Sequence, residues 1–298
     1  MELQQHQIVG EAPGPHFLIT GGVHGDEFEP MVAARRLIDR IKPSKLRGRV
    51  TIVPVVNEPA FRRGQRAAED GLDLARTCPG RADGSVTERV AHALSALINS
   101  ASYYIDLHTG GTRLRVQPLV GYVLHPDREI LATQRRMARA FNLPIIWGTD
   151  WRLHGRSLSV ARDAKVPALY AEYHGGGMCD PLGVDAYVAG CLNVLAEVGM
   201  LDEPVQPPPS DVLFVEDDRE GAGHMQVNLP APREGFFESD VVLGQRVAKG
   251  QRLGVVCDPL GRDRQPVHSP HNGIVLVLHT FSRVEAGESL GVILECSL

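Results

Sequence analysis

The sequence has no excess of basic residues: 31 Lys and Arg stand against 36 Asp and Glu, a net charge of −5, and the arginines are scattered. A nucleic-acid partner needs a basic face, so that class is excluded. No apolar run approaches the roughly 20 residues needed to span a bilayer, so no membrane association is expected. Residues 1–8 lack the charged and apolar regions of a secretory signal. The five cysteines are odd in number and include no C-x-x-C pair. That argues against a disulfide framework and a thiolate metal site, and a reducing cytoplasm is the expected compartment. The remaining composition is that of an ordinary globular protein, and 298 residues suffice for one large core plus a smaller second domain.

Up to about residue 200, short apolar runs alternate with helical patterns. The run 16–20 reads as a buried strand ending in a Gly-Gly turn, followed by a helix with Met31, Leu37 and Ile41 on one face. Further strands are expected at 49–56, 103–107, 118–124, 144–147 and 168–173. A helix is expected after the capping box Ser85-Val86-Thr87-Glu88, with others near 128–141, 157–164 and 184–199. This alternation predicts an α/β sheet covered on both faces. Residues 201–210, with Pro204 and Pro207 to Pro209, read as a Pro-rich linker. Residues 211–298 hold short β-type runs broken by Gly, Pro and Asp, predicting a smaller all-β domain. It resembles the barrel-sandwich domains of biotinyl and lipoyl carriers. A carrier needs a lysine in its exposed hairpin, but the turn reads Cys257-Asp258-Pro259-Leu260 and no lysine follows Lys249. A structural or pocket-shaping role is expected instead.

The segment Gly21-Gly22-Val23-His24-Gly25-Asp26-Glu27 follows the carboxyl end of a strand, where open α/β sheets place ligands. An imidazole and a carboxylate at this spacing can meet one metal ion on a turn entering a helix, and an ordinary polar turn uses the same residues. His108, in Ile105-Asp106-Leu107-His108-Thr109-Gly110, supplies a third ligand candidate at another strand end, or a simple hydrogen-bonded histidine. Asp106 lies two residues earlier on the same strand face and could orient the ring. Glu172 ends an apolar strand before Gly175-Gly176-Gly177, a setting that raises a carboxylate's pKa towards general-base values; a surface ion pair is the alternative. His174 is read as a supporting or packing residue. The long loop 57–80 carries Arg62, Arg63, Arg66 and Arg76, which suit an oxyanion or a substrate carboxylate, or a solvated basic loop.

In order, these segments resemble the succinylglutamate desuccinylase/aspartoacylase family, relatives of the zinc carboxypeptidases. The family pattern is G-x-x-H-G-x-E, then N-P with a downstream Arg, D-L-N-R, a strand ending in His, and a late catalytic Glu. The resemblance covers roughly residues 16–200, and the C-terminal β region fits the family's two-domain layout. It implies a zinc-carboxypeptidase-like mixed sheet flanked by helices, with one Zn²⁺ per chain on His24, Glu27 and His108. It further implies Glu172 as general base, Arg66 polarising the scissile carbonyl, and Arg76 gripping a substrate carboxylate. Asn57 and Arg63 are added as substrate-binding candidates.

The implied activity is hydrolysis of the amide bond of a small anionic N-acyl amino acid. Homo-oligomerisation is left open. Two departures bear on the substrate: D-L-N-R reads Asp73-Leu74-Ala75-Arg76, and the Asn-Pro pair is interrupted as Asn57-Glu58-Pro59. Other features lean towards the branch that includes N-acetyl-diaminobutyrate deacetylases. A carboxypeptidase acting on short peptides and a catalytically impaired metal- or ligand-binding homologue are the alternatives.

Overall fold

The computed structural model describes residues 2–203, 206, 211–225 and 228–296. The elements run β1 (His6–Val9), β2 (Ala12–Thr20), α1 (Phe28–Arg40), β3 (Arg47–Val53), α2 (Glu58–Arg63), α3 (Val86–Asn99), β4 (Tyr103–His108) and β5 (Leu114–Val123). They continue as α4 (Arg128–Phe141), β6 (Ile145–Thr149), α5 (Ser157–Asp163), β7 (Ala168–Gly175), α6 (Pro181–Glu197) and β8 (Leu213–Glu216). The remainder is all strand: β9 (Gly235–Ser239), β10 (Arg246–Val247), β11 (Arg252–Cys257), β12 (Gln265–His268), β13 (Gly273–His279), β14 (Arg283–Val284) and β15 (Gly291–Glu295).

The main sheet is mixed, ordered β1-β3-β2-β4-β7-β5-β13-β10, with β6 and then β8 beside β5, and β15 beside β13. Its centre, β3, β2, β4 and β7, is parallel. β5 joins β7 antiparallel. Parallel central strands are buried on both faces, which explains why they read as continuous apolar runs. In β2, Phe17 and Ile19 point into one core beneath α1, α4 and α6. Leu18 points the opposite way, with Leu94 of α3 and Leu158 of α5. Each such fully buried side chain contributes about 1.5–3 kcal/mol.

The expected helices and central strands are present. β1 and α2 were not anticipated, because β1 is a four-residue, mostly exposed edge strand and α2 lies inside the long loop. α6 begins at Pro181, earlier than the apolar pattern indicated, because Asp180 caps it and proline suits the first turn. Most of the expected linker, 201–210, lies outside the described residues. β8 runs parallel to β6, so the main sheet continues past that segment. Beyond it the described residues contain no helix. A four-stranded sheet, β12-β11-β9-β14, packs against β10, β13 and β15 through Phe237, Val256, Val275 and Ile293. The turn between β11 and β12 is closed by Asp258, whose carboxylate accepts from the amides of Leu260 and Arg262. No described helix is long and apolar enough to cross a membrane.

Candidate metal site

Parallel strands β2, β4 and β7 end side by side, and each end delivers one part of the site. After β2 the chain turns through Gly21 to Gly25 and enters α1 at Glu27, its N-cap residue. Gly25 is needed there: a Cβ would lie 2.1 Å from the carbonyl carbon of Ala60 in α2. The turn sets His24 Nδ1 2.6 Å from Glu27 Oε1. From the end of β4, His108 Nδ1 lies 3.1 Å from Glu27 Oε2, and the Thr109 amide donates to the same oxygen at 3.1 Å. Across the β4–β7 ladder, His108 is the register partner of Glu172.

His24, Glu27 and His108 each offer a ligand atom, all within 4.8 Å of one another. The opposite edge of each ring is also held. His24 Nε2 lies 3.0 Å from Asp73 Oδ1, and His108 Nε2 lies 3.1 Å from Asp106 Oδ2. Asp106 is fully buried and accepts further bonds from Thr20 and Ser157. The Tyr187 hydroxyl donates to the His108 carbonyl. Carboxylates behind imidazoles fix ring orientation and leave Nδ1 free for a cation. Two imidazoles and one carboxylate in a buried cluster can hold a divalent metal ion.

The charges follow from this packing. Burial would raise the Glu27 pKa, but the His24 and His108 charges outweigh it and hold the carboxyl well below its usual range. At Asp73 burial is likewise overcome, by the His24 hydrogen bond and the Arg66 charge. Glu172 goes the other way. Burial pushes its pKa from 4.5 to about 8, with Glu27 adding to the rise against the opposing charges of His108 and Arg66. Its Oε2 is buried and has no partner among the described residues.

Arg66 and Arg76 line the same pocket as the cluster and Glu172. Arg66 donates to Asp73 Oδ2 at 3.0 Å and lies 3.7 Å from Glu27 Oε1. Burial lowers the pKa of Arg76. Ala75 also lines the pocket, and its amide donates to Asp73 Oδ1. Asn57 and Arg63 are placed apart. Asn57 is fully buried and caps α2 by accepting from the Ala60 amide; Arg63 is exposed and donates to Gln65. His174 pairs with Asp180.

Two features of the site escaped the sequence reading. Arg156 precedes α5, and burial together with the nearby Arg76 charge lowers its pKa to about 10. No local motif marks it. Asp73 was read only as part of its motif, because its contact with His24 spans 49 residues.

The model of the succinylglutamate desuccinylase/aspartoacylase catalytic domain matches residues 13–198. The chain is 30% identical to the N-alpha-acetyl-L-2,4-diaminobutyric acid deacetylase of Halomonas elongata, over 97% of this chain and 84% of that protein. It superposes on the succinylglutamate desuccinylase/aspartoacylase of Rhodobacter sphaeroides with a TM-score of 0.87 at 26% identity, covering 99% of this chain and 89% of that one. On the product-bound ectoine utilization protein EutE (DoeB) of Ruegeria pomeroyi the TM-score is 0.86 at 27% identity, covering 97% and 87%.

Proposed function

Because the chain belongs to the succinylglutamate desuccinylase/aspartoacylase family, we propose that it is a zinc-dependent amidohydrolase that releases the acyl group of a small N-acyl amino acid. The observation that carries this reading is the buried, unpartnered Oε2 of Glu172 beside the His24, Glu27 and His108 cluster. A buried carboxylate oxygen without a donor is costly unless something binds there. An attacking water satisfies it.

A zinc ion held by His24, Glu27 and His108 supplies Lewis acidity and brings the pKa of water towards about 7. The protein's own groups do the rest. Glu172 accepts a proton as the water oxygen bonds to the amide carbon. The Arg66 guanidinium stabilises negative charge developing on the carbonyl oxygen. Glu172 then returns the proton to the nitrogen as the carbon–nitrogen bond breaks, leaving a carboxylic acid and an amino acid. Arg76 and Arg156, two guanidiniums in one pocket, hold the carboxylate of the substrate. The five described cysteines are all free, in keeping with the proposed cytoplasmic setting.

The testing experiment is a hydrolysis screen of N-acetyl, N-succinyl and N-formyl amino acids, diaminobutyrate derivatives included, with short peptides alongside. Release of acid from one N-acyl amino acid supports the reading. Cleavage of peptides alone assigns a carboxypeptidase. Stoichiometric zinc without turnover of either class assigns a binding protein.

A further inference from the structure

The pocket has an outer wall that comes from beyond the catalytic segment. Gly223 and Met225 line it, together with Thr149 and Arg156. Gly223 and Met225 belong to the stretch 217–225, which has no regular secondary structure and follows β8. Such a stretch needs fastening if it is to present a fixed surface; the Asp217 amide donates to the Gly148 carbonyl and Arg219 pairs with Glu295, and the fastenings nearest the pocket start from one residue.

Asp150 directly follows β6 and is only 1% exposed. Its Oδ2 accepts from the Gly221 amide at 2.9 Å. Its own amide donates to the Ala222 carbonyl at 3.2 Å. Its Oδ1 accepts from the Arg152 amide at 3.0 Å and from Arg152 Nε at 2.7 Å. Arg152 in turn donates to the Asp218 carbonyl. One buried carboxylate therefore grips the stretch directly at 221 and, through Arg152, at 218.

Gly223 then passes so close to β6 that a Cβ would lie 2.9 Å from Thr149 Cβ, at a φ of +98°. Its carbonyl accepts from both terminal nitrogens of Arg156, at 3.3 and 3.4 Å. The far end is pinned by Ser289, whose hydroxyl donates to the Met225 carbonyl at 3.0 Å. The Asp150 carboxylate thus spends its bonds on backbone amides and on Arg152.

We infer that Asp150 is a positioning residue for substrate selection: it clips 217–225 to the end of β6, so that Gly223 and Met225 limit the pocket and the Gly223 carbonyl holds Arg156 in place. It touches no reacting atom. The inference rests on the hydrolytic reading above for its kinetic consequence, and on geometry alone for the clip.

The test compares wild type with Asp150→Asn, whose amide nitrogen cannot accept from Gly221. Hydrogen exchange is first measured on both proteins without substrate. The Gly221 to Gly223 amides are expected to exchange about tenfold faster in the variant, with the melting midpoint and metal content close to wild type. KM for the preferred N-acyl amino acid is then expected to rise about tenfold with kcat within about twofold. Discrimination between N-acetyl and N-butyryl forms should shrink. Arg152→Ala, which leaves the buried carboxylate in place, should shift KM in the same direction by less, and decides the matter if Asp150→Asn does not fold. Unchanged exchange at 221–223 overturns the clip. Faster exchange with unchanged KM and acyl discrimination overturns the role in selection. A wild type inactive on every N-acyl amino acid overturns the hydrolytic reading and selection with it, and the exchange data still decide the clip.

Discussion

Asp106 offers a quantitative test of the proposed metal site. Its Oδ1 accepts from the Thr20 hydroxyl at 2.8 Å, and its Oδ2 accepts from Ser157 and faces His108 Nε2 at 3.1 Å. Asparagine can present only one oxygen. The hydroxyls can rotate to accept from an amide, whereas the N–H of a metal-ligating imidazole cannot. Asp106→Asn should therefore keep its oxygen towards His108 and turn its nitrogen to Thr20. The bond survives but loses its charge, and with it about half its strength. That is about 1–1.5 kcal/mol, or about tenfold in zinc Kd. Asp106→Ala removes the bond and leaves the ring free to rotate, so the loss should approach about 100-fold. Competition titration against a zinc chelator at neutral pH measures both. Wild-type affinity in Asp106→Ala would refute the claim that this carboxylate orients a ligand.

Asp73→Ala should weaken zinc binding less, about three- to tenfold, because its side chain is 28% exposed and shared with Arg66; the same titration checks this. A base must be ionised, so kcat/KM should fall as pH drops through the Glu172 pKa. Burial raises that value from 4.5 towards about 8 and a bound cation lowers it, so the acid limb of the pH profile should lie between these limits; a limb below pH 4.5 would contradict the assignment. Arg76→Ala and Arg156→Ala should each raise KM about tenfold or more, with a smaller effect on kcat, in steady-state assays. Asp70→Ala should cost about 2 kcal/mol in urea unfolding, because this carboxylate accepts from the Ser85 hydroxyl and from both the amide and the hydroxyl of Thr87, tying the 57–85 loop to the start of α3.

Much of the candidate site was legible because its parts lie at strand ends within short glycine-marked segments. His24 and Glu27 are three residues apart, Asp106 and His108 two, and Glu172 precedes three glycines. Local spacing carries such signals. The central strands were equally readable, since burial on both faces leaves continuous apolar runs. What could not be read arises from contacts far apart in the chain. The Asp73–His24 contact crosses 49 residues, and the Arg156–Gly223 contact crosses 67. The pairings of β8 with β6 and of β13 with β5 join segments more than 60 residues apart, so the shift to short β runs after 210 gave no sign that the main sheet continued. Asn57 shows the converse: a residue in a motif-rich loop whose side chain caps a helix that local pattern did not reveal.

The central claim is that Glu172, beside a metal held by His24, Glu27 and His108, drives hydrolysis. The most direct measurement is zinc content together with acid release from the preferred N-acyl amino acid, on wild type and Glu172→Gln in parallel. The account predicts about one zinc per chain in both proteins, from the three-ligand set, and turnover only in the wild type. A variant that keeps its zinc and still hydrolyses the substrate, or a wild type that binds no stoichiometric metal when it is supplied, would contradict it.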